Sequence, residues 1–453
     1  MAKKILVRRF ERLVEAGVFA TLSLRTAGDT LTRTELDPRA RRRARRRTSA
    51  DGDAADGPEP VEVETTFATH ADAKAEMDRL ARELTLAGWT EVPNFPEPGS
   101  TAIKGVSVSN PALEAALAKN LDDVDAWQIY ADWLTEQGDI RGELVAAQLW
   151  VARRPHDGRL AAIESKLLRT YAKPLLGPLY KNRAMRAGEG MRQTYTWRNG
   201  FFRAARLWRN DHYPRLHDQT AALLEHPVSH LLEHLVLGRP AYADEETYER
   251  TFDVLERGVP ATLTSFTIGE GFSRGAGDVS RVFRWPNLRR LRLHHEPIEL
   301  GEIGESQLTS LVLDLGWLTP SLERSLEGAR WPALETLSIP AAFLPAFAQV
   351  LGAPGRLRRL TINAPTAETI ARLATSPALQ QLERLTFTSI ATLATLDAML
   401  ERAATFDAPR ELRLQLTAAW SGSTIRSQLR EAFPRHEAFS SKNEPDVLEG
   451  GWD

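Results

Sequence analysis

Between about His230 and Leu416 one apolar spacing keeps returning: an apolar residue, two variable positions, a second apolar residue, one variable position and a third. Leu232/Leu235/Leu237 opens the series, followed by Leu263/Phe266/Ile268, Leu288/Leu291/Leu293 and Leu308/Leu311/Leu313. Leu334/Leu337/Ile339, Leu357/Leu360/Ile362 and Leu382/Leu385/Phe387 continue it, and a last copy keeps Leu412/Leu414 with Pro409 in the first slot. From middle residue to middle residue, 235→266→291→311→337→360→385→412, the steps are 31, 25, 20, 26, 23, 25 and 27 residues. A unit this short cannot bury its apolar face without a neighbour, so the units must stack. Side chains alternate faces along a strand, which sends Leu291 and Leu293 one way and Arg290, Arg292 and His294 the other. Parallel stacking then buries one row and leaves the other as a continuous exposed face. Helical spacing fills the gaps at Leu344/Phe347/Val350/Leu351, Ile370/Leu373/Ala374 and Leu393/Leu396/Met399/Leu400, and Pro and Gly punctuate the returns at Trp285-Pro286, Gly328 to Pro332 and Gly352 to Gly355.

Pattern and period resemble the leucine-rich repeat family. The resemblance implies a recognition surface on the exposed sheet face. The Asn or Cys that this family usually carries three residues past the third apolar position is Glu296, Gly316, Ala342 or Pro365 here. The side-chain ladder of the family is therefore expected to be absent, leaving an irregular solenoid with varied turns.

Ahead of the repeats, residues 4–36 predict strands with a hairpin turn at Ala27-Gly28-Asp29, and Val61 to Phe67 predicts another. Thr69 then caps a helix carrying Ala73, Met77, Leu80 and Leu84 on one face, and Gly88 stops it. This order over residues 3–93, with Thr-Thr-Phe-Ala-Thr-His-Ala-Asp-Ala leading into a helix that ends Ala-Gly-Trp-Thr-Glu-Val, resembles a divergent WGR domain. Thr32-Arg33-Thr34 stands where the Trp-Gly-Arg triplet belongs. Some members of that family bind DNA. An insertion at about 38–60 holds Arg39, Arg41, Arg42, Arg43, Arg45, Arg46 and Arg47, followed at once by Asp51, Asp53, Asp56 and Glu59. It reads either as a phosphate clamp or as a solvated loop balanced by its acidic neighbour. Residues 1–94 hold 17 Lys/Arg against 16 Asp/Glu, which favours the second reading.

Residues 94–105 form a Pro/Gly linker to a helical stretch at 106–187. Asn110-Pro111 starts one helix, Asp122 or Asp123 caps a second that ends at Gly138, and Asp139 begins a third with Leu144, Val145 and Gln148. Tyr130-Ala131-Asp132-Trp133-Leu134 and Gly138-Asp139 resemble a repeat-companion domain found beside leucine-rich repeats, chiefly in myxobacteria and planctomycetes. That family implies no chemistry, and an Asp132–Arg141 pair is expected to be structural. Thr194 to Leu207 predicts a hairpin capping the solenoid of 190–434, and 435–453 reads as a loose tail.

At 453 residues several domains are expected. A net charge of −2 argues against a globally basic nucleic-acid binder, and with no cysteine there is no disulfide, zinc–thiolate site or cysteine nucleophile. The N-terminal residues lack a sustained apolar run, so neither a signal peptide nor a membrane span is expected, and the location expected is cytoplasmic. His226, His230 and His234 recur every four residues, a spacing that suits a metal on one helix face. Pro227 breaks such a helix, so a cap and two surface histidines are expected instead. The glycines from Gly269 to Gly277 lack the Gly-Lys-Ser/Thr ending of a phosphate loop.

The sequence thus predicts an α/β multidomain chain: a small α+β WGR-like domain, a short helical domain and a leucine-rich-repeat solenoid of parallel strands with irregular helical returns. The function expected is that of a non-enzymatic adaptor, without cofactor or metal, that binds another protein through the concave sheet. The candidate contacts are His234, Arg290, Arg292, His294, Asp314, Arg359, Thr361, Asn363, Arg384, Thr386, Arg413 and Gln415. Along that face Arg290, Arg292, Arg359, Arg384 and Arg413 outweigh Asp314 and Glu411, which predicts an acidic patch on the partner. Two other readings stand beside it: nucleic-acid binding through the arginine run Arg41 to Arg47, and a regulatory subunit of an enzyme.

Overall fold

A computed structural model of the chain describes residues 5–15, 18–27, 30–36, 61–92, 108–180, 194–207, 215–238, 248–270, 278–294, 299–352, 355–416, 423–435 and 439–440. The arginine run, the linker 94–105, Gly271 to Gly277, Glu296 and residues 441–453 lie outside these. The chain divides into two compact units, residues 1–103 with 150–164, and residues 104–149 with 165–453.

The first unit carries a five-stranded antiparallel sheet in the order β4-β3-β2-β1-β5. Its strands are β1 (Ile5–Glu15), β2 (Val18–Ala27), β3 (Thr30–Leu36), β4 (Val61–Thr66) and β5 (Thr90–Val92). Helix α1 (His70–Leu86) covers one face. Thr69 Oγ1 accepts from the Asp72 N–H at its start, and Gly88 ends it at φ +80°. Ala73, Met77 and Ala81, at helical spacing, are buried, and Met77 and Ala81 cluster with Leu22, Leu24, Leu31 and Trp89.

The second unit begins with helices α2 (Pro111–Lys119), α3 (Val124–Glu136) and the part of α4 (Arg141–Arg153) up to Leu149. Asn110 Oδ1 caps α2 and Asp123 Oδ1 caps α3, while Gly138 at φ +73° lets the chain turn into α4. Gly142 is pressed against α3, where an added Cβ would lie 2.8 Å from the Ala131 carbonyl oxygen. The cluster Leu117, Trp127, Tyr130, Leu134, Val145 and Leu149 closes over Phe201 and Leu231, so these helices pack on the start of the large sheet.

That sheet has eleven strands, β6 to β16, in strict chain order. They are β6 (Thr194–Arg198), β7 (Phe201–Leu207), β8 (His234–Gly238), β9 (Ser265–Glu270), β10 (Arg290–His294), β11 (Ser310–Asp314), β12 (Thr336–Pro340), β13 (Arg359–Asn363), β14 (Arg384–Ile390), β15 (Glu411–Leu416) and β16 (Phe439–Ser440). Only β6–β7 is antiparallel; all other neighbours are parallel. The parallel sheet therefore begins one strand before the first leucine triplet, because Ala205 and Leu207 pair with Leu235 and Leu237. Beyond β15, Phe439 and Ser440 join the edge beside Leu414 and Gln415, where a tail was expected.

Register is set the same way at the starts of β9 to β14. One carbonyl accepts the N–H groups of two successive residues of the next unit: Glu233 from Thr264 and Ser265, Thr264 from Arg289 and Arg290, and Arg289 from Thr309 and Ser310. Thr309, Glu335 and Arg358 repeat the arrangement toward β15. The apolar triplets form the buried row, with Leu291, Leu311, Leu337, Leu360, Leu385 and Leu412 in one line across six strands. At the returns, Ser and Thr hydroxyls do the work expected of a side-chain ladder. Thr262 Oγ1 donates to the Leu232 carbonyl at 2.8 Å, Ser376 Oγ to Leu351 at 2.7 Å and Thr395 Oγ1 to Pro365 at 3.1 Å. Each bond ties one return to the one before it and satisfies a carbonyl that would otherwise be buried unpaired. Among the described residues, no helix is long and apolar enough to cross a membrane.

Candidate functional site

The outward positions of the parallel strands line up in three rows. The first runs His234–Ser265–Arg290–Ser310–Thr336–Arg359–Arg384–Glu411. The second runs Val236–Thr267–Arg292–Val312–Ser338–Thr361–Thr386–Arg413. At the strand ends, His294 pairs with Asp314, Asn363 with Thr388, and Gln415 with Ser440. All twelve candidate contacts thus belong to one sheet face. They are not equally accessible: His234, His294 and Thr386 are buried, as are their row neighbours Val236, Thr267 and Val312. The two apolar valines on the outward rows leave the neighbouring polar side chains little water.

Charge on this face is partly neutralised from within. Glu411 accepts from Arg384 Nε and from Arg413 Nε, each at 2.6 Å. Burial alone would raise the Glu411 carboxyl; the bonds from Arg413 and Arg384 outweigh it and hold the group below its usual value. Asp314 is engaged by His294 Nδ1 at 3.1 Å, and Asn363 Oδ1 accepts from Thr388 Oγ1 at 3.1 Å. Of the five arginines set against two acids on this face, Arg384 and Arg413 thus share one carboxylate. Arg290 reaches the ring nitrogen of His234 at 3.4 Å. Burial, then Arg290 and Arg203, push the His234 pKa down to about 4, so its ring is neutral at pH 7 and accepts that bond. Two cations remain. Arg292 is half-buried with its Nε unpartnered, and Arg359 is exposed with no side-chain partner among the described residues.

A second concentration of ionisable groups lies where the helices meet the sheet. Glu114 of α2 accepts from Tyr130 Oη at 2.6 Å and from Ser109 Oγ at 3.0 Å, and His230 Nδ1 lies 2.9 Å from its other oxygen. Burial would raise this carboxyl, but the bonds from His230, Tyr130 and Ser109 bring it down to about 2. Beside it the Arg141–Asp139 pair spans 2.8 Å with side chains 0 % and 1 % exposed, and Arg141 also donates to the Val108 carbonyl. The expected Asp132–Arg141 pair does not form. Asp139 lies just ahead of α4, where its carboxylate takes both the Arg141 N–H and the guanidinium, while Asp132 accepts from Gln128.

The three histidines have separate tasks. His226 Nδ1 accepts from the Val228 N–H, His230 meets Glu114, and His234 faces Arg290. His234 is buried rather than a surface residue. No group of three or more metal-ligating side chains converges among the described residues. A cleft of about 510 Å³ opens past the ends of β12 and β13, lined by Pro340, Ala341, Asn363, Ala364, Thr366 and Arg372. Its charged lining residues, Glu368 and Arg372, pair with each other at 3.3 Å.

No family model and no curated protein matches the chain. Among solved structures the chain is similar to the crystal structure of a protein from Bacteroides fragilis, at 13% identity over 96% of each chain and a TM-score of 0.41.

Proposed function

We propose that this chain is a non-enzymatic adaptor, a leucine-rich-repeat solenoid whose sheet face binds an acidic patch on another protein. Support for the solenoid comes from the chain-ordered parallel strands, the two-donor carbonyl recurring at the starts of β9 to β14 and the hydroxyl ties from return to return. The observation that carries the binding reading is the pair Arg292 and Arg359, whose guanidinium groups are not consumed by carboxylates of the same face. A planar guanidinium suits two-point contact with a carboxylate, and Arg292 has already lost part of its hydration. The helices 111–153 serve in this reading as a brace for the start of the sheet.

Fluorescence-labelled poly-L-glutamate is the probe. The chain is expected to bind it with an affinity that falls as salt rises, and Arg292→Gln with Arg359→Gln to weaken it by about tenfold or more, equivalent to about 1.4 kcal/mol. Unchanged affinity in a folded double variant overturns the reading. Binding to duplex DNA that disappears on deleting residues 39–47 would move the function to the arginine run.

A further inference from the structure

We infer that the occupant of this face is an α-helix of the partner protein that carries two carboxylates eleven residues apart, one meeting Arg292 and the other Arg359. The inference rests on the binding role proposed for the face and names the shape of what it binds. Register fixes how far apart the two arginines stand. Their strands, β10 and β13, are three steps apart, and Arg359 lies two residues nearer the strand starts than Arg292. At about 4.8 Å per step and 3.3 Å per residue, their Cα atoms are roughly 16 Å apart, on a line oblique to the strands. Arg292 is half-buried with its Nε shielded from water, which limits how far its guanidinium can swing. The ground between the two is neutral and low, because β11 and β12 present Ser310, Val312, Thr336 and Ser338 there. Arg384 and Arg413 already hold Glu411, and Arg290 lies against His234, so Arg292 and Arg359 set the spacing.

Backbone geometry then selects the occupant. Its carboxylates must stand about 16 Å apart and on one side of their own chain. Five residues of extended chain span roughly 16 Å, but side chains five apart point to opposite faces. Four or six residues restore one face and give roughly 13 Å or 20 Å, short and long of the mark. Eleven residues of α-helix also rise roughly 16 Å, and three turns bring the two side chains back to within about 20° of each other. The fourth and seventh residues after the first carboxylate fall on the same side, over Val312 and Ser338, where small side chains fit best.

The test uses the full chain and fluorescein-labelled peptides of about 24 residues, long enough to form helix, made of Ala and Gln with two Glu. The Glu pair is placed seven, nine, eleven or eighteen residues apart, so that net charge is constant while the helical span runs from roughly 10 Å to 27 Å. Nine residues put the two Glu on opposite faces; seven and eighteen keep one face at the wrong distance. With helicity matched by circular dichroism, the eleven-residue spacing is expected to bind about tenfold tighter than the others, because its second contact is made within the complex. Arg292→Gln alone, or Arg359→Gln alone, is expected to erase that advantage. Equal affinity across the four spacings, or tightest binding at another spacing, overturns this inference, and the adaptor reading stands if poly-L-glutamate still binds through the two arginines. A preference for eleven that survives both single variants also overturns it, as does equal binding by an eleven-residue-spacing peptide whose helix is broken by a central proline. No binding of the peptides or of poly-L-glutamate overturns both readings.

Discussion

The seam between helices and sheet and the open sheet face both concentrate charge, yet they handle it in opposite ways. At the seam the central ions are paired: Glu114 meets three side chains, and Arg141 and Asp139 close on each other with almost no exposure, although Arg141 Nη1 has no partner among the described residues. On the face Glu411 satisfies Arg384 and Arg413, while Arg292 and Arg359 have no such carboxylate among the described residues. Burial explains the contrast. A charge removed from water must be paired or it destabilises the fold, whereas an unmatched cation at a wetter surface costs little. The matched ions serve the architecture, and the unmatched cations are the ones to which the binding role is proposed above.

This contrast breaks most visibly at Arg141. Arg141→Met leaves the Asp139 carboxylate buried and alone, and is expected to cost about 3–5 kcal/mol in urea unfolding. A loss below about 1 kcal/mol would mean that the seam is not held by its ions. Glu114→Gln keeps the shape but weakens the bonds from His230 and Tyr130, with an expected cost of about 1–3 kcal/mol.

Acid sharpens the comparison next. His226 and His234 have their pKa values pushed down to about 4 from a usual 6.5, chiefly by burial. The unfolded chain takes up their protons below that usual value while the folded chain refuses them, so stability is full above about pH 6.5 and declines toward pH 4. Glu114, held at about 2, adds stability that is present above its usual 4.5 and is lost as pH falls toward 2. Melting temperature is expected to drop between pH 7 and 5, and His226→Gln to remove part of that drop. A flat profile in the natural chain contradicts the burial of these rings.

Glu143 is an exception at the seam. It is raised to about 7 by burial, and one of its oxygens has no partner. A raised carboxyl lowers stability as pH climbs from 4.5 through 7, so Glu143→Gln is expected to raise the melting temperature at pH 8 and leave it unchanged at pH 4. The smallest effect belongs to the face: Arg359→Ala is expected to stay within about 0.5 kcal/mol.

Much of this was legible because it is local. Caps at Thr69, Asn110 and Asp123 and stops at Gly88 and Gly138 act within one turn, and the apolar triplets carry the two-residue period of a strand. Strand β7 was expected in the capping hairpin but not as a parallel neighbour of β8, because Ala205 fills the middle slot of the leucine pattern. The Glu114–His230 contact joins residues 116 apart in sequence, and no periodicity links them. Pairing within the face is not visible in the sequence for a related reason. Counting charges along the rows does not show that Glu411 stands beside Arg384 and Arg413 at once, which only the register reveals. The buried outward histidines stand beside Val236 and Val312, which are buried on the neighbouring row.

The central claim is that unmatched arginines, and not the overall charge of the face, hold the partner. Poly-L-glutamate affinity, measured by fluorescence anisotropy for Arg292→Gln/Arg359→Gln and for Arg384→Gln/Arg413→Gln, tests it with the same change in net charge. The first pair is expected to lose about tenfold, or about 1.4 kcal/mol, and the second pair clearly less. Equal losses from the two pairs, or a larger loss from the pair that Glu411 already engages, would contradict it.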